Sequence, residues 1–154
     1  MRIIYYEPEH LAACAHLLIE VYNTTTWDCR WSTEKAKTYI EELTQMPRFV
    51  GFLLEDDGEI VGVSLCHERT WWRHDELNIN EFYISPDLQH RGYGTHLIRF
   101  MEKYVKERNL AGITLMTNNV DAAQFYHKNK FHYNDLVFMY KGIESKVKSD
   151  ERLA

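Results

Sequence analysis

Between Glu76 and Arg108 the apolar period of the chain changes once, and it changes across a loop holding two glycines. Leu77-Asn78-Ile79-Asn80-Glu81-Phe82-Tyr83-Ile84 alternates and is rich in β-formers, which predicts a strand. Leu97, Ile98, Met101, Tyr104 and Val105 then recur at helical spacing. The junction between them reads Gln89-His90-Arg91-Gly92-Tyr93-Gly94. A strand, a glycine loop and a helix form the arrangement that binds phosphate. The glycines let the backbone approach the ligand, and the free N–H groups of the first helical turn meet negative charge. Position 97 is Leu, so the spacing is not Gly-x-Gly-x-x-Gly, and no Gly-Lys-Ser/Thr follows as in a P-loop.

The remaining elements follow from local signals. Arg2–Tyr6 predicts a first strand, and Leu11, Cys14, Ala15, Leu18, Val21 and Tyr22 give an apolar helical stripe. Ser32 is placed to cap a second helix whose buried side carries Ala36, Tyr39, Ile40 and Leu43. Phe49–Glu55 and Ile60–Cys66 flank Asp56-Asp57-Gly58, a hairpin signal. After the central helix come a strand at Gly112–Thr117, a short helix at Asp121–Lys128 and a last strand at Leu136–Lys141, where Leu136, Phe138 and Tyr140 alternate. The order β-α-α-β-β-β-α-β-α-β predicts an α/β sandwich on a mixed sheet. One domain over 1–143 and a polar tail over 144–154 are expected.

Composition excludes several classes. No run of 18 apolar residues is present, so no membrane span is expected, and Met1–Glu7 lacks the apolar region of a signal peptide. Cys14, Cys29 and Cys66 are scattered and odd in number, which suits reduced thiols in the cytoplasm. A net charge of −5 argues against nucleic acid and is compatible with a cationic substrate. The histidines show no ligand spacing, so no metal is expected.

The Gln89–Gly94 segment resembles the Gln/Arg-x-x-Gly-x-Gly/Ala pyrophosphate loop of the GCN5-related N-acetyltransferases (GNAT), which bind acetyl-CoA. Asn119, Ala122, Ala123, Phe125 and Tyr126 resemble the second conserved block of that superfamily, which usually has Gly where this chain has Lys130. The resemblance covers nearly the whole chain apart from its last residues. It implies the GNAT acyl-CoA N-acyltransferase fold: a mixed, mostly antiparallel central sheet flanked by helices. It also implies acetyl-CoA as cosubstrate. Gln89, His90, Arg91, Gly92, Tyr93, Gly94 and Thr95 would hold the pyrophosphate. The backbone of Phe82, Tyr83 and Ile84 would pair with pantetheine, and Asn119, Ala122 and Phe125 would complete the cofactor site. Tyr126 would protonate the leaving thiolate as general acid.

Relatives often carry an acid at the place of Asn78 or Asn80. Here both are Asn, which moves the acid to Glu81, the proposed proton acceptor, or to Glu76. Strict alternation sets Glu76, Asn78, Asn80, Phe82 and Ile84 on one face and Leu77, Ile79, Glu81 and Tyr83 on the other, although a bulge beside Glu81 would shift this parity. Tyr22, Trp27, Trp31, Trp71, Trp72, Glu76, Asn78 and Asn80 form the candidate acceptor set, suited to a cationic amine through cation–π contact and ion pairing. Each of these aromatic rings has core packing as its alternative use.

The implied function is acetyl transfer to a primary amine of a small, cationic molecule, most like polyamine and aminoglycoside acetyltransferases. A degenerate CoA-binding module and a peptide or protein acetyltransferase stay open as alternatives. So does the choice between a monomer and a homodimer.

Overall fold

The period-2 segments of the first three quarters of the chain build a five-stranded sheet in the order β1-β2-β3-β4-β5. The computed structural model describes residues 1–143. The polar tail expected at 144–154 lies outside the described residues. The chain divides into a unit spanning Met1–Met116 and a second beginning at Thr117.

In the first unit, β1 is Arg2–Tyr5, α1 Leu11–Tyr22, α2 Thr33–Thr44, β2 Phe49–Asp56, β3 Glu59–Arg69, β4 Glu76–Ile84, α3 Tyr93–Glu107 and β5 Ile113–Thr114. The first four strands are antiparallel, and β5 runs parallel to β4. The local signals have local causes. Ser32 Oγ accepts the Lys35 N–H at 3.1 Å and caps α2. Asp57 and Gly58 both take positive φ, the geometry that a two-residue hairpin turn needs.

Residues opposite one another in an antiparallel pair share a face. Leu53, Val63, Leu65 and Tyr83 pack with Cys14, Leu18 and Val21 of α1 and with Ala36 and Ile40 of α2. The other face meets α3, where Phe52 lies 5.9 Å from the Phe100 ring and 5.2 Å from that of Tyr104. A single carboxylate fixes the far end of α3. Glu68, only 4% exposed, accepts from Tyr104 Oη and Arg108 Nε at 2.7 Å each and from Arg48 at 2.7 Å. Arg48 also reaches Asp75 at 2.9 Å.

Register corrects the alternation expected for β4. Leu65 pairs with Glu81 but Cys66 pairs with Ile79, so Asn80 is an extra residue. Leu77 and Ile79 lie with Glu68 on the α3 face. Past the bulge, Glu81 and Tyr83 turn to the α1–α2 face, where Tyr83 Oη donates to the Cys14 carbonyl at 2.8 Å. Asn78 and Asn80 are on that face already, while Phe82 and Ile84 pair with Ser64 and Gly62 on the opposite one. One inserted residue thus gathers the polar side chains of β4 on one side.

Two further expectations are corrected. The strand expected at Gly112–Thr117 is limited to Ile113–Thr114, which pairs with Leu77 and Asn78. The strand expected at Leu136–Lys141 is not formed: Leu136 is 82% exposed and Met139 87%. Alternation marks a segment able to present one face to a core, but a strand also needs a neighbour for its backbone groups, and the described residues supply none.

In the second unit, α4 (Val120–Lys128) begins at Asn119, whose Oδ1 accepts the Ala122 N–H at 3.0 Å. At its other end Lys130 N–H bonds the His127 carbonyl and Phe131 N–H the Tyr126 carbonyl, each at 3.0 Å, with Lys130 at φ +67°. This is a Schellman ending, completed by Tyr126 and Phe131 rings 5.4 Å apart. The left-handed φ explains why a glycine suits this position, and a lysine there is strained. Lys130→Gly is expected to raise the unfolding free energy by about 0.5–1 kcal/mol. Denaturant titration checks this, and an unchanged or lower midpoint would show that the lysine fits without strain.

Candidate active site

The loop joining β4 to α3 is built around one backbone inversion. Gln89 Nε2 donates to the Ile84 carbonyl at 3.0 Å and pins the loop to the end of the strand. His90 and Gly92 then take φ of +62° and +86°, which turns the chain into the helix. Gly92 is the N-cap, and no side chain caps α3 there. Its carbonyl accepts the His96 N–H at 3.0 Å. The N–H groups of Tyr93, Gly94 and Thr95 have no carbonyl one turn earlier to bond. A Cβ built at Gly92 would meet nothing within 4 Å, so the loop has open space above it. His90, Arg91, His96 and Arg99 are exposed around this end. The helix dipole, the unbonded amides and these basic residues together favour an anion.

On the outer side of β4, β5 pairs only with Leu77 and Asn78. Among the described residues no strand continues along the segment from Asn80 to Ile84, where the added-strand contact to pantetheine is expected.

On the α1–α2 face the bulge delivers Glu81 into an aromatic cage. Tyr22 Oη of α1 donates to Glu81 Oε2 at 2.9 Å, and Tyr39 Oη of α2 donates to Oε1. The Trp27 ring stands edge-on to Tyr22 at 5.1 Å, and Trp31 stacks on Tyr39 at 5.1 Å. Burial pushes the Glu81 carboxyl above its ordinary range, and the two phenol bonds hold back part of that rise. Asn23 locks the loop after α1 by exchanging two 2.8 Å bonds with the Trp31 backbone. That loop frames a recess of about 490 Å³ lined by Thr24, Asp28, Cys29 and Arg30. Tyr22, Trp27, Trp31 and Glu81 are therefore brought together.

Other members of the acceptor set lie elsewhere. Trp71 and Trp72 are 52% and 77% exposed, with Arg69 over the first ring at 5.1 Å and Arg73 over the second at 4.8 Å. Glu76 pairs with Arg69 at 2.8 Å. Asn78 and Asn80 belong to a polar row across three strands. Thr114 Oγ1 donates to Asn78 Oδ1 at 3.0 Å, Asn78 Nδ2 donates to Asn80 Oδ1 at 2.9 Å, and Asn80 Nδ2 meets His67 Nδ1 at 2.9 Å. Burial, and then the charge of Arg69, push the His67 imidazole below its ordinary range. In the second unit, Asn119 caps α4, and Tyr126 lies 5.1 Å from the Phe125 ring.

Sequence reasoning missed Tyr39 and His67. Tyr39 reads as one more apolar position of an amphipathic helix, and its carboxylate partner is 42 residues away. No local pattern carries that contact.

The model of the acetyltransferase (GNAT) family matches residues 13–131. An uncharacterized N-acetyltransferase of Methanocaldococcus jannaschii is 29% identical over 108 residues, which are 66% of this chain and 47% of that protein. The chain thus spans about half the length of the curated relative it matches. A crystal structure of a probable acetyltransferase superposes with a TM-score of 0.75 at 18% identity, covering 96% of this chain and 100% of the other. An aminoglycoside N-acetyltransferase, AAC(6')-Iy, in complex with CoA gives 0.71 at 15% identity, covering 91% of this chain and 93% of the other. At such identities the structural likeness is one of fold.

Proposed function

Because the chain belongs to the acetyltransferase (GNAT) family, we propose that it transfers acetyl from acetyl-CoA to a primary amine of a small, cationic molecule, by direct attack with both substrates bound. The observation that carries this reading is the pairing, on one strand–loop–helix segment, of an open glycine-capped helix end with a caged carboxylate. The first suits a pyrophosphate and the second suits proton removal from an ammonium.

In this reading Gln89–Thr95 hold the pyrophosphate, with the first-turn amides of α3 as donors. The backbone of Phe82–Ile84 aligns the pantetheine arm, and one of its N–H groups polarises the thioester carbonyl. Glu81 receives the proton that the amine must shed before it attacks. Asn119, Ala122 and Phe125 are assigned to the cofactor, and the Tyr126 phenol protonates the departing thiolate. Tyr22, Trp27 and Trp31 wall the acceptor. Trp71, Trp72 and Glu76 take an outer part, where a polycation would compete with Arg69 for the carboxylate. The aminoglycoside enzyme of similar fold supports an aminoglycoside acceptor, and a polyamine is the other cationic amine to try. The caged carboxylate favours turnover over a CoA-binding module without activity.

Thiol release from acetyl-CoA with a panel of polyamines, aminoglycosides and amino acids tests the reaction. In the same assay Tyr126→Phe is expected to lower kcat by about 10²-fold with CoA affinity nearly kept, the scale of a lost general acid. An unchanged kcat would leave Tyr126 as a packing residue against Phe125 and Phe131.

A further inference from the structure

The Glu81 cage is more elaborate than a simple base requires. Each carboxylate oxygen accepts a phenol, one from each helix of the α1–α2 face, and each phenol is backed by an indole. The two phenols are not equivalent. Tyr39 is stacked flat under Trp31. Tyr22 Oη also lies 3.4 Å from the Phe82 carbonyl, on the stretch of β4 assigned to the thioester arm. Tyr22 thus stands between the carboxylate and the backbone where the acyl group is expected. A phenol oxygen that donates its proton keeps lone pairs with which to accept another.

We infer that Tyr22 is a catalytic proton relay and that Tyr39 is the positioning residue that holds Glu81 for it. The inference rests on the acetyl-transfer reading above. As the acceptor's ammonium N–H bond breaks, its proton goes to Tyr22 Oη, and Tyr22's own proton goes to Glu81 Oε2. The amine nitrogen retains the electron pair for attack. Tyr22 ends neutral and Glu81 ends as the carboxylic acid, which returns its proton to water by the reverse path once product leaves.

The surroundings of Glu81 suit this role. Among the described residues its titratable neighbours include Tyr22 from α1, Tyr39 from α2, Cys29 from the loop between them and Tyr83 from β4 itself. Burial favours proton uptake by the carboxyl, and the two phenol bonds oppose it by favouring the charged form. Removing the Tyr39 bond takes away support for the charged form. The carboxyl then titrates higher, and the basic form needed for catalysis is lost at higher pH.

The test is a set of pH–rate profiles on the full chain with the best amine of the panel, for the unchanged protein, Tyr22→Phe, Tyr39→Phe, Glu81→Gln and the Tyr22→Phe/Glu81→Gln double variant. Tyr22→Phe and Glu81→Gln are each expected to lower kcat/KM by about 10²-fold, with the double variant no worse than the poorer single one. Tyr39→Phe is expected to move the acid limb up by about one pH unit. Carbon-13 titration of the Glu81 carboxyl in Tyr39→Phe should show the same upward move without any turnover, and melting curves report whether each variant is folded. A folded Tyr22→Phe with kcat/KM within about threefold of the unchanged protein overturns the relay, as do losses that multiply in the double variant. An unmoved Glu81 titration overturns the role of Tyr39. Absence of thiol release by the unchanged protein with every amine sinks the acetyl-transfer reading and the relay with it. Turnover with multiplying losses sinks the relay alone.

Discussion

A Gly92→Asp chain is expected to lose the thermal stabilisation that CoA confers on the unchanged protein. A ligand that binds only the folded state, at about 100 times its Kd, adds roughly 2.7 kcal/mol. For a chain of this size that is a rise of roughly 5–10 °C in Tm. NAD and ATP should do little, because the loop departs from the spacings that cradle those ligands. Gly92 stands at φ +86° with open space where a Cβ would sit. Aspartate there combines a strained backbone with a carboxylate at the helix end that is meant to receive phosphate. Gly92→Ala separates the two effects, since it adds the strain without the charge. A CoA shift that survives Gly92→Asp would move the pyrophosphate away from this loop. No shift with CoA at all would end the acetyltransferase reading.

The second large effect concerns stability. Arg108→Met is expected to lower the denaturation midpoint clearly, because it strips a buried carboxylate of its main partner, although the guanidinium itself is exposed. The substitution removes two donors from Glu68, at 2.7 and 3.1 Å, and leaves a carboxylate that is 4% exposed with Arg48 and Tyr104 alone. Glu68→Gln should cost less, because the guanidinium groups it frees reach water. The same site sets an acid limit. The Arg108 bond, helped by Tyr104 and Arg48 and opposed by burial, pushes the Glu68 carboxyl down from 4.5 to about 2. Its stabilisation is complete above pH 4.5 and is lost as pH falls toward 2. In Arg108→Met the loss should be smaller and complete at higher pH, because the folded-state carboxyl is held down less. Chemical denaturation across pH 2–7 reads both effects, and equal midpoints for the two proteins would show that Glu68 does not hold α3.

What could be read from the sequence was what depends on near neighbours. Asp57-Gly58 requires only its own positive φ, Ser32 only an amide three residues on, and the Gln89–Gly94 loop only the strand before it and the helix after it. Glu68 carries no such signal. It sits in a strand of ordinary alternation, and the partners that make it central are 20, 36 and 40 residues away. The site was legible in the same uneven way. Glu81 was singled out because no acid stands at Asn78 or Asn80, but its cage was not, since Tyr22 and Tyr39 reach it across 59 and 42 residues. Which face Glu81 occupies depends on Asn80 being unpaired, and an asparagine in a strand does not announce that. The segment at 136–141 shows the converse error, a strong local pattern without a neighbour to pair with.

The Glu68 clamp has a mechanical meaning for α3. The helix is about 22 Å long at 1.5 Å per residue. Its rear is bolted to the sheet through Tyr104 and Arg108, and its middle is seated by Leu97, Ile98 and Met101. The first turn, Tyr93–His96, projects past the last of these seats. It is entered through the loop that Gln89 ties to Ile84. The helix therefore works as a cantilever, rooted at the carboxylate and with its partly buried first turn at the tip. Displacement concentrates at the tip and so does compliance, which lets the amides there close on an anion while the root stays still. A bound phosphate would act as a second support and turn the cantilever into a beam held at both ends.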